Sequence, residues 1–163
     1  MDEVKFWEII QITHDKSGGD MDCKCEAIKS AIEILPKNEA IIFSRIFDEM
    51  QDKAYTWPLW GAAYIINGGC GDDTFSDFRA SLISRGKQAF EKSISNPDSL
   101  ADDEFDEDKW FYEGYQYAVT DGIEAASGSV QPRSKPHPEE PSGEEWEEEQ
   151  LDELFPKLST KFA

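Results

Sequence analysis

Apolar residues recur at steps of three and four positions along most of the chain, which is the spacing of one helical face. A first helix is predicted from about Val4, and it stops before Ser17, where two glycines follow. A second begins after Asp20, whose side chain suits a helix N-cap, and stops at Pro36. A third is predicted with Asn38 as its N-cap. Its apolar stripe consists of Phe43, Ile46, Phe47, Met50 and Ala54.

The middle of the chain predicts a helix, a glycine turn and another helix. Residues 58–66 are apolar almost all round, which places the first of these helices at the centre of a domain. The glycines that follow favour a left-handed stop. The predicted start of the next helix is a capping box, in which Asp73 or Thr74 acts together with Asp77. The apolar face of that helix consists of Phe75, Phe78 and Leu82.

The last third of the chain changes composition twice. One continuous helix is predicted to hold Trp110, Phe111, Tyr115, Ala118 and Ile123 at helical spacing. Residues 127–143 are rich in Ser, Pro and Gly, and they predict an extended connection without a core of its own. Residues 144–163 then predict a short acidic helix, which Pro156 ends. The apolar edge of this helix consists of Trp146, Leu151, Leu154 and Phe155.

Together these elements predict an all-α fold, a single compact multi-helix domain with an apolar central helix and an acidic C-terminal tail helix. The helical domain is predicted over residues 1–126, the connection over 127–143, and the acidic tail, docked on the domain, over 144–163. No stretch shows sustained strand alternation with hairpin dipeptides, so no sheet is expected. A chain of 163 residues buries about two thirds of its unfolded surface, which is enough for a core without covalent staples.

Charge is distributed unevenly along the chain. The net charge is −19, and residues 98–163 hold 19 of the 35 acidic residues but only 5 of the 16 basic ones. Such a field repels nucleic-acid phosphates and anionic lipid, and it attracts a basic protein partner. The alternative interpretation is solubility alone, because net charge bears on association and not on fold.

The ends of the chain and its cysteines bear on location. The N-terminus lacks the basic start and apolar run of a secretory signal, and no apolar run is long enough to span a membrane. Cys23, Cys25 and Cys70 form an odd set, and the first two lie too close in a helix to bridge comfortably. We therefore expect a cytoplasmic protein with reduced thiols. Its oligomeric state stays open.

No motif predicts a catalytic residue or a cofactor. The cysteines together with His14 and His137 lack the paired spacing of a zinc site. Neither a nucleophile elbow nor a phosphate-binding loop is present. The acidic run at residues 102–108 lacks the central glycine and distant glutamate of a calcium loop. The expected cofactor and metal content is therefore none.

Two groups of residues are candidates for binding a partner. Asp72 and Asp73 at the glycine turn can hold a cation or simply cap a helix, and capping is favoured. Arg79, about one turn further, either braces this turn by an ion pair or presents its charge to a ligand, and bracing is favoured. In the tail, an isolated tryptophan either anchors the segment to its own domain, the favoured alternative, or contacts a partner. The tail candidates are Glu144, Glu145, Trp146, Glu148 and Glu149.

An ordered set of motifs resembles a known family. It begins with Phe6-Trp7, continues through the aromatic, glycine and acidic positions of residues 60–83, and ends with residues 96–101 and the tail. In this respect the chain resembles the bacterial domain-of-unknown-function family numbered 4240. The resemblance implies a small, mostly helical, bacterial cytoplasmic protein, and it supplies no catalytic residues.

Three functions follow as hypotheses. The first is a non-enzymatic acidic protein-binding module, for example an immunity protein that neutralises a basic toxin or effector. The second is an enzyme or small-ligand sensor that uses the glycine turn with Asp72, Asp73 and Arg79, which requires an open polar pocket at that turn. The third is an acidic nucleic-acid mimic, which requires carboxylates spaced like phosphates along a ridge.

Overall fold

Helices account for all of the regular secondary structure. The computed structural model describes residues 1–163 and contains ten α-helices, two 3-10 helices and no strand. The α-helices are α1 (Glu3–Ser17), α2 (Met21–Glu33), α3 (Lys37–Lys53), α4 (Trp57–Asn67), α5 (Asp72–Ile83), α6 (Lys87–Ser95), α7 (Glu107–Trp110), α8 (Gly114–Ser127), α9 (Leu151–Leu154) and α10 (Pro156–Lys161). The 3-10 helices cover Pro97–Asp102 and Glu148–Gln150. The predicted all-α, single-domain fold is confirmed.

Side chains cap the first two helices but not the third. Asp2 and Asp20 act as N-caps, since their side chains accept hydrogen bonds from the backbone N–H groups of Lys5 and Cys23 at 2.8 and 2.9 Å. The prediction that Asn38 caps α3 is wrong. Pro36 occupies the N-cap position with an extended ψ of 147°, and α3 begins one residue before Asn38. Proline takes the extended backbone conformation of an N-cap position, and no side chain caps this start.

The core is one cluster of 31 buried residues to which all the longer helices contribute. The apolar stripe predicted for α3 is buried throughout. Helix α8 packs against both α2 and α3, and α1 packs on α2. Aromatic pairs connect the helices, such as Phe6 with Phe43 at 4.7 Å between ring centroids. This packing brings α3, α5 and α8 together around the polar cavity described below.

The helix predicted through Trp110 and Ile123 is in fact two helices, α7 and α8. The break between them is held by α5, because the Ser81 hydroxyl donates to the Tyr112 carbonyl oxygen at 3.2 Å and accepts from the Tyr112 N–H at 3.0 Å. Phe111, in the same break, packs on Phe78 with 5.1 Å between ring centroids. Contacts with a distant helix therefore override the helical spacing.

We name residues 128–143 the linker and residues 144–163 the tail. The linker is non-helical, and two backbone hydrogen bonds join it to the chain around the start of α4. The Trp57 N–H donates to the Ser142 carbonyl oxygen at 2.8 Å, and the Ser142 N–H donates to the Tyr55 carbonyl oxygen at 3.0 Å. Pro156 ends α9, as predicted, but it also begins α10. Asp98 caps α10, since its carboxylate accepts from the backbone N–H of Leu158 at 2.9 Å.

The apolar side of the tail packs against α4 at Gly61. A Cβ atom at this position would lie 2.9 Å from both Phe155 and Trp146, and 3.2 Å from Leu151. Only a residue without a side chain allows this approach. Leu151, Phe155 and Leu158 are buried in the core cluster. The tail thus covers a face of α4 that would otherwise expose apolar surface.

Candidate functional site

The glycine turn places its two aspartates at the start of α5. Gly68 adopts a left-handed conformation with φ of 67° and ends α4, as predicted. The predicted capping box is wrong, because Gly71 is the N-cap of α5 and no side chain caps this end. Asp72 and Asp73 are exposed in the first helical turn, where negative charge is favoured by the helix dipole.

Arg79 does not form the ion pair considered from sequence. No carboxylate lies within ion-pair distance of it. The side chain is 3% exposed, and its guanidinium donates to the carbonyl oxygens of Phe75 and Gln51 at 3.4 and 3.0 Å. It also lies over the rings of Tyr55 and Phe75, at 4.7 and 4.8 Å from their centroids. Burial lowers the pKa of this guanidinium.

Arg79 lines a cavity of about 200 Å³ between α3, α5, α8 and the linker, which we name the polar cavity. Polar side chains form most of its wall, including Asp48, Gln51, Ser76, Gln116 and Arg133. Asp72 and Asp73 are not among the residues that line it. Asp72 therefore acts on Arg79 only through its charge, which raises the pKa of the guanidinium, and neither aspartate shares the cavity with it.

The linker contributes one wall of the polar cavity. Arg133 reaches back to α3, where its guanidinium lies 2.5 Å from an Asp52 oxygen and 3.6 Å from an Asp48 oxygen. Burial raises the pKa of Asp48, while the charge of Arg133 lowers it. His137 also lines the cavity and contacts the Tyr55 ring edge to face, with 4.8 Å between ring centroids. One arginine of the linker thus forms ion pairs with two aspartates of α3.

Sequence reasoning missed Asp48, Gln51 and Arg133, although a signal for one of them was present. Gln51 lies four residues after Phe47 and therefore on the apolar stripe of α3. Arg79 likewise follows Phe75 by four residues on the apolar face of α5. A polar residue on a buried face needs a polar partner inside the protein, so such positions mark interior polar sites.

The acidic candidates of the tail are arranged differently. Glu144, Glu145, Glu148 and Glu149 are all exposed. Trp146 between them is partly buried, and its indole N–H donates to the Trp57 carbonyl oxygen at 2.6 Å. Its ring also packs on Tyr64, with 5.3 Å between ring centroids. The tryptophan thus contacts its own domain and holds the neighbouring carboxylates at the surface.

A second concave surface lies beside Trp146. This groove, of about 300 Å³, we name the tail groove. The residues that line it include Glu144 and Glu145 together with the apolar Trp146, Leu154 and Phe155. Leu154, which was predicted to lie on the apolar edge of the tail, is 53% exposed. The tail groove therefore combines negative charge with accessible apolar surface.

The remaining candidate chemistry is sparse. No group of three or more His, Cys, Asp and Glu side chains is placed to hold a metal ion, and all three cysteines are free thiols. Burial raises the pKa of the Cys70 thiol to about 12, which keeps it protonated and unreactive at neutral pH. None of the helices combines the length and the apolar character needed to cross a bilayer.

Comparison with known proteins identifies a family without an assigned activity. The model of a family described as a protein of unknown function, DUF4240, matches residues 1–124. No curated protein matches the chain, and no solved structure matches it. The matched stretch contains the glycine turn, Arg79 and all of the cavity wall except the linker, whereas the tail groove depends on residues beyond it. The chain belongs to the DUF4240 family.

Proposed function

We propose that the protein is a non-enzymatic acidic binding module that docks a basic protein on its tail. Residues 144–149 hold five glutamates and no basic residue, so the electrostatic potential around Trp146 is negative. Four of the five glutamates that flank Trp146 are the candidates Glu144, Glu145, Glu148 and Glu149, which are exposed and form no ion pair within the chain. Their charge is therefore free to act on a partner.

The observation that carries this proposal is the tail groove. A lysine or arginine side chain has an apolar stem and a cationic end, and it binds best where aromatic or aliphatic surface adjoins carboxylates. Glu144 and Glu145 supply the carboxylates, and Trp146 and Phe155 supply aromatic surface. Because Trp146 is already held by Trp57, the groove is formed before a partner arrives, which lowers the entropy cost of association.

The finer form of the proposal concerns the kind of partner. A basic toxin or effector that acts on an anionic substrate carries positive charge in its active-site cleft. An acidic protein that occupies such a cleft blocks it, and electrostatic attraction accelerates the encounter. The protein would then act as an immunity protein, which needs no catalytic residues of its own.

The test is co-expression with the protein encoded by the adjacent gene. The expected result is a complex that survives affinity purification, weakens as salt concentration rises, and protects cells from growth arrest caused by that neighbour. The test variant exchanges four tail carboxylates for neutral amides and is expected to lose the complex. It combines Glu144→Gln, Glu145→Gln, Glu148→Gln and Glu149→Gln.

A matched control removes the same charge from a different surface. Its four positions are exposed on α1 and α2, and it combines Glu3→Gln, Glu8→Gln, Glu26→Gln and Glu33→Gln. If net charge alone drives association, both variants weaken the complex equally and the tail groove has no special role. The absence of both complex and protection in the unmodified protein rejects the proposal.

A further inference from the structure

The polar cavity contains a buried cation that no carboxylate contacts. The Arg79 side chain is 3% exposed, and its neutral partners are two carbonyl oxygens and two aromatic rings. A buried charge normally has an opposite charge next to it, because removal from water is costly. A guanidinium keeps its proton even when burial lowers its pKa, so the positive charge persists. The charges of Asp72 and Asp52 act on Arg79 from beyond ion-pair distance, and no carboxylate hydrogen-bonds to its guanidinium.

The same cavity contains an acceptor without a donor. Gln51 is 8% exposed, and its side-chain oxygen Oε1 is buried with no hydrogen-bond partner. Asp48 lies three residues earlier on α3 and also lines the cavity, so its carboxylate occupies a neighbouring position on the same helical face. Arg133 is shared between Asp48 and Asp52, which leaves this side of the cavity with an excess of negative charge.

We propose that the polar cavity binds a free amino acid, with the carboxylate of the ligand on the Arg79 guanidinium and its ammonium group on Asp48 and the Gln51 side-chain oxygen. Such a ligand provides both missing partners at once. A carboxylate accepts hydrogen bonds from a guanidinium in the geometry that arginine favours, and an ammonium group provides three donors. The cavity of about 200 Å³ limits the ligand to small metabolite size.

The ammonium group distinguishes a free amino acid from simple anions. Phosphate brings up to two negative charges, which the Asp48 carboxylate in the same cavity repels. A simple carboxylate such as propionate pairs with Arg79 but leaves the Gln51 oxygen without a donor. Only a zwitterion satisfies both sides. The site is independent of the proposed protein partner, because the tail groove shares no residue with the polar cavity.

The experiment measures binding of the twenty free amino acids to the full chain, first as a rise in melting temperature and then by titration calorimetry. Propionate and inorganic phosphate serve as comparison ligands. The test variant is Gln51→Leu, which removes the acceptor but keeps the backbone carbonyl to which Arg79 donates. The control is Gln88→Leu, at an exposed position outside the cavity.

We expect at least one amino acid to bind the unmodified protein more tightly than propionate or phosphate. Gln51→Leu should weaken that binding about tenfold, which is the effect of losing a hydrogen bond to a charged group, and Gln88→Leu should leave it unchanged. Without ligand, Gln51→Leu should melt no lower than the unmodified protein, because it removes an unsatisfied buried acceptor. The proposal is overturned if no amino acid binds at millimolar concentration, if propionate or phosphate binds as tightly, or if Gln51→Leu binds normally.

Discussion

The tail can be tested as part of the folded domain by a single substitution in α10. Leu158 is completely buried in the core cluster, although it lies beyond the residues that the family model matches. Replacing a buried leucine by alanine costs about 2–5 kcal/mol, from lost apolar contact and from the cavity left behind. For a chain of this size that loss lowers the melting temperature by roughly 4–20 °C. Leu158→Ala should therefore remove a large part of a total stability of about 5–15 kcal/mol.

Leu154→Ala is the matched control, since it removes the same atoms from the same tail at a position that is 53% exposed. Its effect should be within about 0.5 kcal/mol. The assay is urea unfolding followed by circular dichroism at a helical wavelength, which reports mainly on the helices of the body. If the body were complete without the tail, Leu158→Ala would merely release the tail, and both variants would unfold at the same urea concentration. That coincidence would refute the reasoning.

Three further predictions concern buried polar groups and the linker. Burial lowers the pKa of Lys24 to about 8, and this side chain is 3% exposed. From pH 8 to the ordinary lysine value of 10.5 the unfolded chain holds more protons at Lys24 than the folded chain, so this residue adds up to roughly 3 kcal/mol of stability as pH rises. The raised pKa of Cys70 acts in the opposite direction above pH 9, but it does so in both proteins. The unfolding free energy of the unmodified protein minus that of Lys24→Met, measured in urea, should therefore rise over this pH range. Ser81→Ala leaves both backbone polar groups of Tyr112 without their partner, so the free energy of unfolding should fall by about 1–3 kcal/mol in the same assay. An unchanged urea midpoint would contradict the role assigned to Ser81 at the break between α7 and α8. Arg133→Ala should lower the free energy of unfolding by at most about 1 kcal/mol, because the ion pair with Asp52 is partly exposed. The same substitution should make the linker much more sensitive to limited proteolysis. Equal cleavage rates would show that other contacts hold the linker.

Much of the body could be predicted from sequence because helical patterns are local. The stripe from Phe43 to Ala54 identifies the buried face of α3, and Asp20 and Gly68 mark a helix start and a helix end. Each of these signals depends on residues within about one or two turns of each other. Local rules failed at Asn38 and at the capping box of α5, where several residues were acceptable caps and the backbone selected Pro36 and Gly71.

The candidate site was predictable only in fragments. Arg79 was singled out from sequence, but its neighbours at the glycine turn suggested partners that it does not contact. Arg79 instead contacts the carbonyl oxygen of Gln51, which lies 28 residues earlier in the chain, and the rings of Tyr55 and Phe75. Periodicity can mark a polar residue on an apolar face, but it cannot say which other helix will face that residue.

By itself the sequence determined an all-helical body, its negative charge and the positions of most helices, since helical spacing and charge are properties of near neighbours and of composition. Only the tertiary structure decided that Ser81 of α5 holds the break between α7 and α8, that the tail closes over Gly61, and that Asp48, Gln51, Arg79 and Arg133 share one cavity. These outcomes depend on contacts between residues far apart in the chain. Their free energy comes from packing and from the pairing of buried polar groups, which no local pattern records.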